Sequence, residues 1–136
     1  GLGDVYKRQI HASEVADLIF TVIDKEIVSK TIEVIGTQEL TFKEILQILL
    51  KCINKKRILL PLPLSIAKIS ASFFQLMPNP LITIDQLKLL KYDNIKSNIY
   101  ETNFDIGCVS KITLENGVMK YAYNWRDGGQ YSVKKN

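Results

Sequence analysis

Few residues in this chain carry the chemistry of a reactive site. There is one histidine, His11, so no site needing two imidazoles can form, and a nucleophile–histidine triad would have a single base to draw on. Cys52 and Cys108 lie 56 residues apart with no CxxC spacing. That excludes a disulfide scaffold, supplies no structural zinc site and gives no reason to expect a metal. Two Tyr/Lys pairs have YxxxK spacing, Tyr92/Lys96 and Tyr131/Lys135. In such a pair the ammonium lowers the phenol pKa so that Tyr exchanges a proton near neutral pH. With six Tyr and fifteen Lys in 136 residues, about 0.7 such spacings arise by chance. Neither pair is taken as catalytic, and no catalytic residue is assigned.

His11 ends a short strand just ahead of a helix, where it is either a structural histidine at a strand edge or a contact to a cofactor or substrate. The structural role is the simpler one, and His11 is kept as the candidate cofactor contact. Glu14 and Asp17 fit the first turn of that helix, where its dipole favours acids, better than acid–base catalysis. Cys52, among Leu and Ile, reads as a small core residue and Cys108 as a free thiol in a loop. Trp125 and Arg126, of types enriched at binding hot spots, are candidate partner or substrate contacts; otherwise Trp125 closes the last helix onto the core.

The elements that must position these groups follow from hydrophobic period and capping signals. Residues 10–12 read as a strand end and Ser13 as an N-cap, with a helix over 13–26 burying Val15, Leu18, Ile19, Val22 and Ile23. A β-branched strand spans 30–35 and stops at Gly36. Thr41 to Glu44 form a capping box that opens a helix to about residue 53. A short apolar strand at 57–60 is stopped by Pro61 and Pro63. The helix expected over 64–77 has a narrow polar stripe of Ser65, Lys68, Ser72 and Gln75 and is apolar elsewhere, so Phe73 and Phe74 point in different directions. One of them is expected in the core and the other toward a partner, substrate or membrane surface. Thr83 to Gln86 open a further helix to about residue 92, residues 93–110 look irregular, and Thr113 caps a last helix to 124 or 125, with Asn116-Gly117 as a discordant note.

The chain is long enough for one domain, and its 46% apolar and 24% charged residues are globular values. The net charge of +4 comes largely from dispersed lysines, with no basic run longer than Lys55-Lys56-Arg57. Nucleic-acid binding is not expected, while a weak attraction to anionic membranes remains open. The opening GLGDVYKRQ resembles sequencing-adapter read-through at the ends of translated metagenomic fragments. Residues 1–9 are therefore read as a non-native segment outside the fold, residues 10–131 as the domain, and 132–136 as a loose tail. Wide apolar helix faces with only about three short strands to cover them indicate a mostly helical α/β piece of a larger protein.

The ordered motifs within 10–131 are similar to the C-terminal part of one family. It comprises the atypical extended short-chain dehydrogenase/reductases related to the NADPH-binding accessory subunit of respiratory complex I, with bacterial homologues. A "V-H-V-x-D-V-A" helix start corresponds to residues 10–16, a "K-x-Y-E-L-G-G" strand to 30–36, and "E-x-L-T-F-K-E" to 38–44, with Gln38 for its first Glu and Leu40 to Glu44 unchanged. A basic strand into "P-L-P" falls at 57–63, "L-x-P-x-P-x-x-T-x-D-Q" at 76–86, "L-x-x-D-N" at 90–94, and "R-x-G-G-Q" at 126–130. Departures are Glu14 for the usual Asp and Ile32 for an aromatic.

The resemblance implies an α/β fold, the C-terminal lobe of a Rossmann-type, NAD-dependent epimerase/dehydratase-like protein whose nucleotide-binding half, with its Gly-rich turn, is missing. It implies NADP or NAD as cofactor of the whole protein, with none held tightly by this fragment. It further implies either a structural, assembly or cofactor-holding role with respiratory complex I subunits or a membrane surface, or reductase or epimerase chemistry on a quinone-like or sugar-nucleotide-like substrate with catalytic residues upstream. The implied location is cytoplasmic, including the cytoplasmic face of the inner membrane.

Overall fold

The computed structural model describes residues 2–60, 63–74, 84–90 and 92–132. Among these residues it is a mixed α/β arrangement of five α-helices and four two-residue strands, with 3-10 turns at Leu2–Asp4 and Tyr123–Trp125. In chain order the elements are β1 (Tyr6–Lys7), α1 (Ala12–Asp24), β2 (Ile32–Glu33), β3 (Leu40–Thr41), α2 (Phe42–Cys52), α3 (Leu64–Phe74), α4 (Ile84–Leu90), β4 (Glu101–Thr102) and α5 (Leu114–Ala122). β1 pairs antiparallel with β3, Tyr6 opposite Thr41 and Lys7 opposite Leu40. β2 pairs parallel with β4, Ile32 opposite Glu101 and Glu33 opposite Thr102. A parallel pair needs a crossover; here the chain between β2 and β4 contains β3 and the helices α2, α3 and α4.

The helix starts follow their local chemistry. Thr41 closes the expected capping box: its hydroxyl accepts from Glu44 N at 3.2 Å, and the Glu44 carboxylate accepts from Thr41 N at 2.7 Å. Thr113 caps α5, accepting from Asn116 N at 3.2 Å. α1 departs from expectation. Its N-cap is His11, not Ser13, because the imidazole Nδ1 accepts from Ser13 N. A ring nitrogen two residues from the N–H it meets serves where a hydroxyl was expected, and residues 10–12 form no strand.

Other boundaries shift for similar reasons. The strand expected over 30–35 is only Ile32–Glu33 in the ladder, since Ile35 N turns to the side chain of Asn103 at 2.9 Å. Residues 57–60 have apolar strand composition but no ladder among the described residues. The region 93–110 supplies β4 and an isolated bridge from Asn94 to Lys7. α5 gives way to a 3-10 turn at Tyr123. Thr83 and Gln75 to Met77 lie outside the described residues.

Residues 1–9, expected to lie outside the fold, instead contribute Val5–Arg8 to an edge. Val5 O accepts from Phe42 N at 2.9 Å, Tyr6 O from Asn94 N at 2.9 Å, and Asn94 O from Arg8 N at 2.8 Å. These are main-chain bonds, which depend little on side-chain identity, so a segment of any origin with β-forming Val and Tyr can supply them.

Among the described residues the apolar core is small. Ile45 and Cys52 of α2 are buried, as is Ala122 of α5, and the two helices pack together. α3 packs on α4, where Ala67 and Leu87 are the buried residues. Leu18 of α1 and Ile35 complete the buried apolar set among the described residues. A polar knot stiffens one side. Asn103 is fully buried, accepting from Ile35 N and donating to Cys108 O at 2.9 Å each, while Asp105 accepts from Thr102 N and its hydroxyl. Asp105's carboxyl is held below its ordinary value, first by the backbone and then by the side-chain bond from Thr102.

Candidate functional site

A cavity of about 600 Å³ is lined by four stretches of chain: residues 8–11, residues 33–35 at β2 and just beyond, Asn94-Ile95, and residues 112–121 running into α5. Its walls are mostly aliphatic: Ile10, Val34, Ile35, Ile95, Ile112, Leu114 and Val118. The polar contributions from residue 10 onward are His11, Glu33, Asn94, Thr113 and Tyr121, with Arg8 and Gln9 ahead of them. An apolar hollow with a few placed polar groups is the usual form of a small-molecule site.

Several of those polar groups are already engaged. Glu33 accepts from Ser97 N at 3.0 Å and Ser97 Oγ at 2.9 Å. Thr113 is committed to its cap. His11 Nδ1 faces Ser13 Oγ at 2.7 Å and accepts from Ser13 N at 3.3 Å, so the neutral ring carries its proton on Nε2. The same ring lies against α5. A Cβ built on Gly117 would sit 3.2 Å from His11 Cδ2, so a side chain there would press on the ring unless it shifted by a few tenths of an ångström. His11 therefore both caps a helix and contributes to the cavity lining. Arg8 Nε donates to Gly36 O at 2.9 Å, and its guanidinium carbon stands 5.8 Å from the Phe104 ring centroid.

Glu14 has a structural task. Its carboxylate accepts from Ser110 Oγ at 2.8 Å, from Lys111 N, and from Ile112 N at 3.0 Å, tying α1 to the segment that feeds α5. Burial pushes its pKa up, but hydrogen bonds from Lys111 N, Ser110, Ile112 N and the His11 backbone outweigh that and leave it lowered. A carboxylate held charged by this many donors is a clamp.

The other singled-out residues lie apart from the cavity lining. Arg126 turns inward, Nε donating to Cys52 O at 2.9 Å at the end of α2, and Trp125 faces Tyr131 with ring centroids 5.2 Å apart. Trp125 keeps 46% of its surface exposed. Phe73 and Phe74 belong to α3, but their side chains lie outside the described residues; on the same helix Ile66 and Ile69 are exposed. Cys52 is buried and Cys108 is a free, half-buried thiol. Tyr92 is exposed, and Lys135, the second member of the other Tyr/Lys spacing, lies outside the described residues. Among the described residues no three His, Cys, Asp or Glu side chains gather as metal ligands, and no helix is long and apolar enough to cross a membrane.

Sequence reasoning missed Tyr121, Ile112 and Val118 as cavity residues and Asn103 as the centre of a buried knot. Thr102 and Asp105 did carry a signal, since Thr-x-x-Asp is the spacing of a capping box, but no helix follows it.

None of the described helix starts presents the Gly-rich turn that commonly seats a pyrophosphate. A pyrophosphate rests on unshielded N–H groups at a helix N-terminus behind a Gly-rich turn. Here α1, α2, α4 and α5 each carry an acid in the first turn (Glu14, Glu44, Asp85 and Glu115), and α1, α2 and α5 are capped by their own side chains. α3 has no first-turn acid, but residues 58–66 ahead of and into it contain no glycine. Compared with known proteins, the chain matches no protein-family model and no curated protein.

Proposed function

We propose that this chain is the C-terminal lobe of a Rossmann-type NAD(P)H-binding protein related to the accessory subunit of respiratory NADH–quinone oxidoreductase. In this reading it serves a structural, assembly or cofactor-holding role, and the nucleotide is held by a half of the protein outside this sequence. The supporting observation is that three motif segments from distant parts of the chain line one cavity: Ile10-His11, Glu33 to Ile35, and Asn94. The acids at four helix N-termini agree with a nucleotide site elsewhere.

The test is the upstream reading frame. Joined to this chain, it is expected to encode a Gly-rich turn and to bind NADPH in calorimetric titration, where residues 10–136 alone show no binding. Co-purification of the joined protein with the membrane-bound oxidoreductase is expected. An upstream frame without the turn, or NADPH binding by this chain alone, would overturn the reading.

The aliphatic lining favours a second reading, a reductase or epimerase whose substrate has an apolar moiety, such as a quinone-like ring and tail. An intact Tyr/Lys pair in the upstream frame, with turnover of a quinone analogue, selects this reading; a Gly-rich turn without the pair selects the first.

A further inference from the structure

The polar face of α2 and the irregular segment that leaves it form a second groove, lined by Lys43, Lys51, Lys55, Lys56 and Arg57. Two of its cations are compensated: Lys51 by Glu115 at 2.8 Å and Lys55 by Asp127. Asp4 lies close enough to Lys43 for charge attraction. Lys56 and Arg57 are exposed and, among the described residues, have no carboxylate partner. The residues that follow are apolar and alternate in exposure: Ile58 is 88% and Leu60 81% exposed, while Leu59 between them is half-buried. Two exposed aliphatic side chains thus follow directly on three consecutive cations.

We propose that this edge of the molecule, Lys55 to Leu60, docks on an anionic lipid surface, with Lys56 and Arg57 against headgroups and Ile58 and Leu60 entering the acyl boundary. The charge pattern selects this occupant. A protein lobe covering Ile58 and Leu60 would have to desolvate the adjoining cations, whereas a bilayer interface takes both at once. Nucleic acid fits less well, since the groove has no aromatic side chain for a base to stack on. The proposal stands on this surface alone and does not need the nucleotide-binding reading.

The experiment is flotation of the full 136-residue chain with vesicles of phosphatidylcholine alone or with phosphatidylglycerol added. The expected result is binding to the mixed vesicles only, weakened by raised salt. The double variant Lys56→Glu/Arg57→Glu is expected to lose roughly tenfold or more in partitioning. Ile58→Asn/Leu60→Asn is expected to lose a comparable factor while unfolding at the parent temperature, because both side chains are already exposed. Equal binding to both vesicle types, no binding to either, binding to mixed vesicles that both variants retain, or a single-stranded oligonucleotide bound in preference to lipid would each overturn the proposal.

Discussion

The imidazole of His11 and the α-carbon of Gly117 share one space, so close that a methyl group on Gly117 would lie 3.2 Å from His11 Cδ2. Their contact joins the N-cap of α1 to the middle of α5, and both residues line the same cavity. Glycine within a helix costs about 1 kcal/mol relative to alanine. In a background of His11→Ala, Gly117→Ala should stabilise by about 1 kcal/mol. In the parent that gain should vanish, because the ring is held by Ser13 and cannot retreat freely. Denaturant unfolding of the four proteins measures the coupling. Equal effects of Gly117→Ala in both backgrounds would show that the ring yields.

Glu14 should make stability depend on acid. Its pKa is lowered in the fold: burial opposes ionisation, and the hydrogen bonds from Lys111 N, Ser110 and Ile112 N overcome it. A carboxyl with a depressed folded pKa contributes fully above its unfolded pKa, near the usual glutamate value. That contribution fades as pH falls from there through the folded pKa. Glu14→Gln keeps the shape but places an NH₂ among donors. It should cost about 1–3 kcal/mol at pH 7, and parent and variant should converge in strongly acid solution. Thermal melts across that range check both parts; a constant difference at all pH values would mean the carboxylate charge is not what holds the clamp.

The parts of this fold legible from sequence were those encoded locally. The capping box of Thr41 and Glu44 and the cap at Thr113 each need only residues within one turn, and both helices start where the pattern places them. The strands were poorly legible because each is two residues long and defined by its partner: Ile32–Glu33 depends on Glu101–Thr102, almost seventy residues later. His11 as a cap was missed because imidazole is a rare substitute for a hydroxyl. The cavity was legible only at His11. Ile112, Val118 and Tyr121 carry no signal beyond helix period, and they become site residues only because the Glu14 clamp brings α1 to the approach of α5.

The opening segment gives the last test. Its adapter-like sequence predicts that removing residues 1–9 leaves stability unchanged, whereas the structure gives Val5, Tyr6 and Arg8 backbone bonds to Phe42 and Asn94, and Tyr6 N a bond to Asp93 Oδ1 at 2.8 Å. Exposed bonds of this kind contribute little each, so truncation should cost about 1–2 kcal/mol in all, a melting temperature lower by a few degrees. Apart from the Lys7 and Arg8 side chains, which donate to Tyr92 O and Gly36 O, these bonds are made by the main chain, so the identity of Val5 and Tyr6 should matter far less than their presence. Replacing Val5→Thr and Tyr6→Val together keeps a β-forming stretch and the Lys7 and Arg8 side-chain bonds, and should keep the parent melting temperature. A truncated chain that melts with the parent would mean that β1 adds nothing to the fold. If the truncated and the substituted chain fall equally, the side chains of this segment, not its backbone, hold the edge.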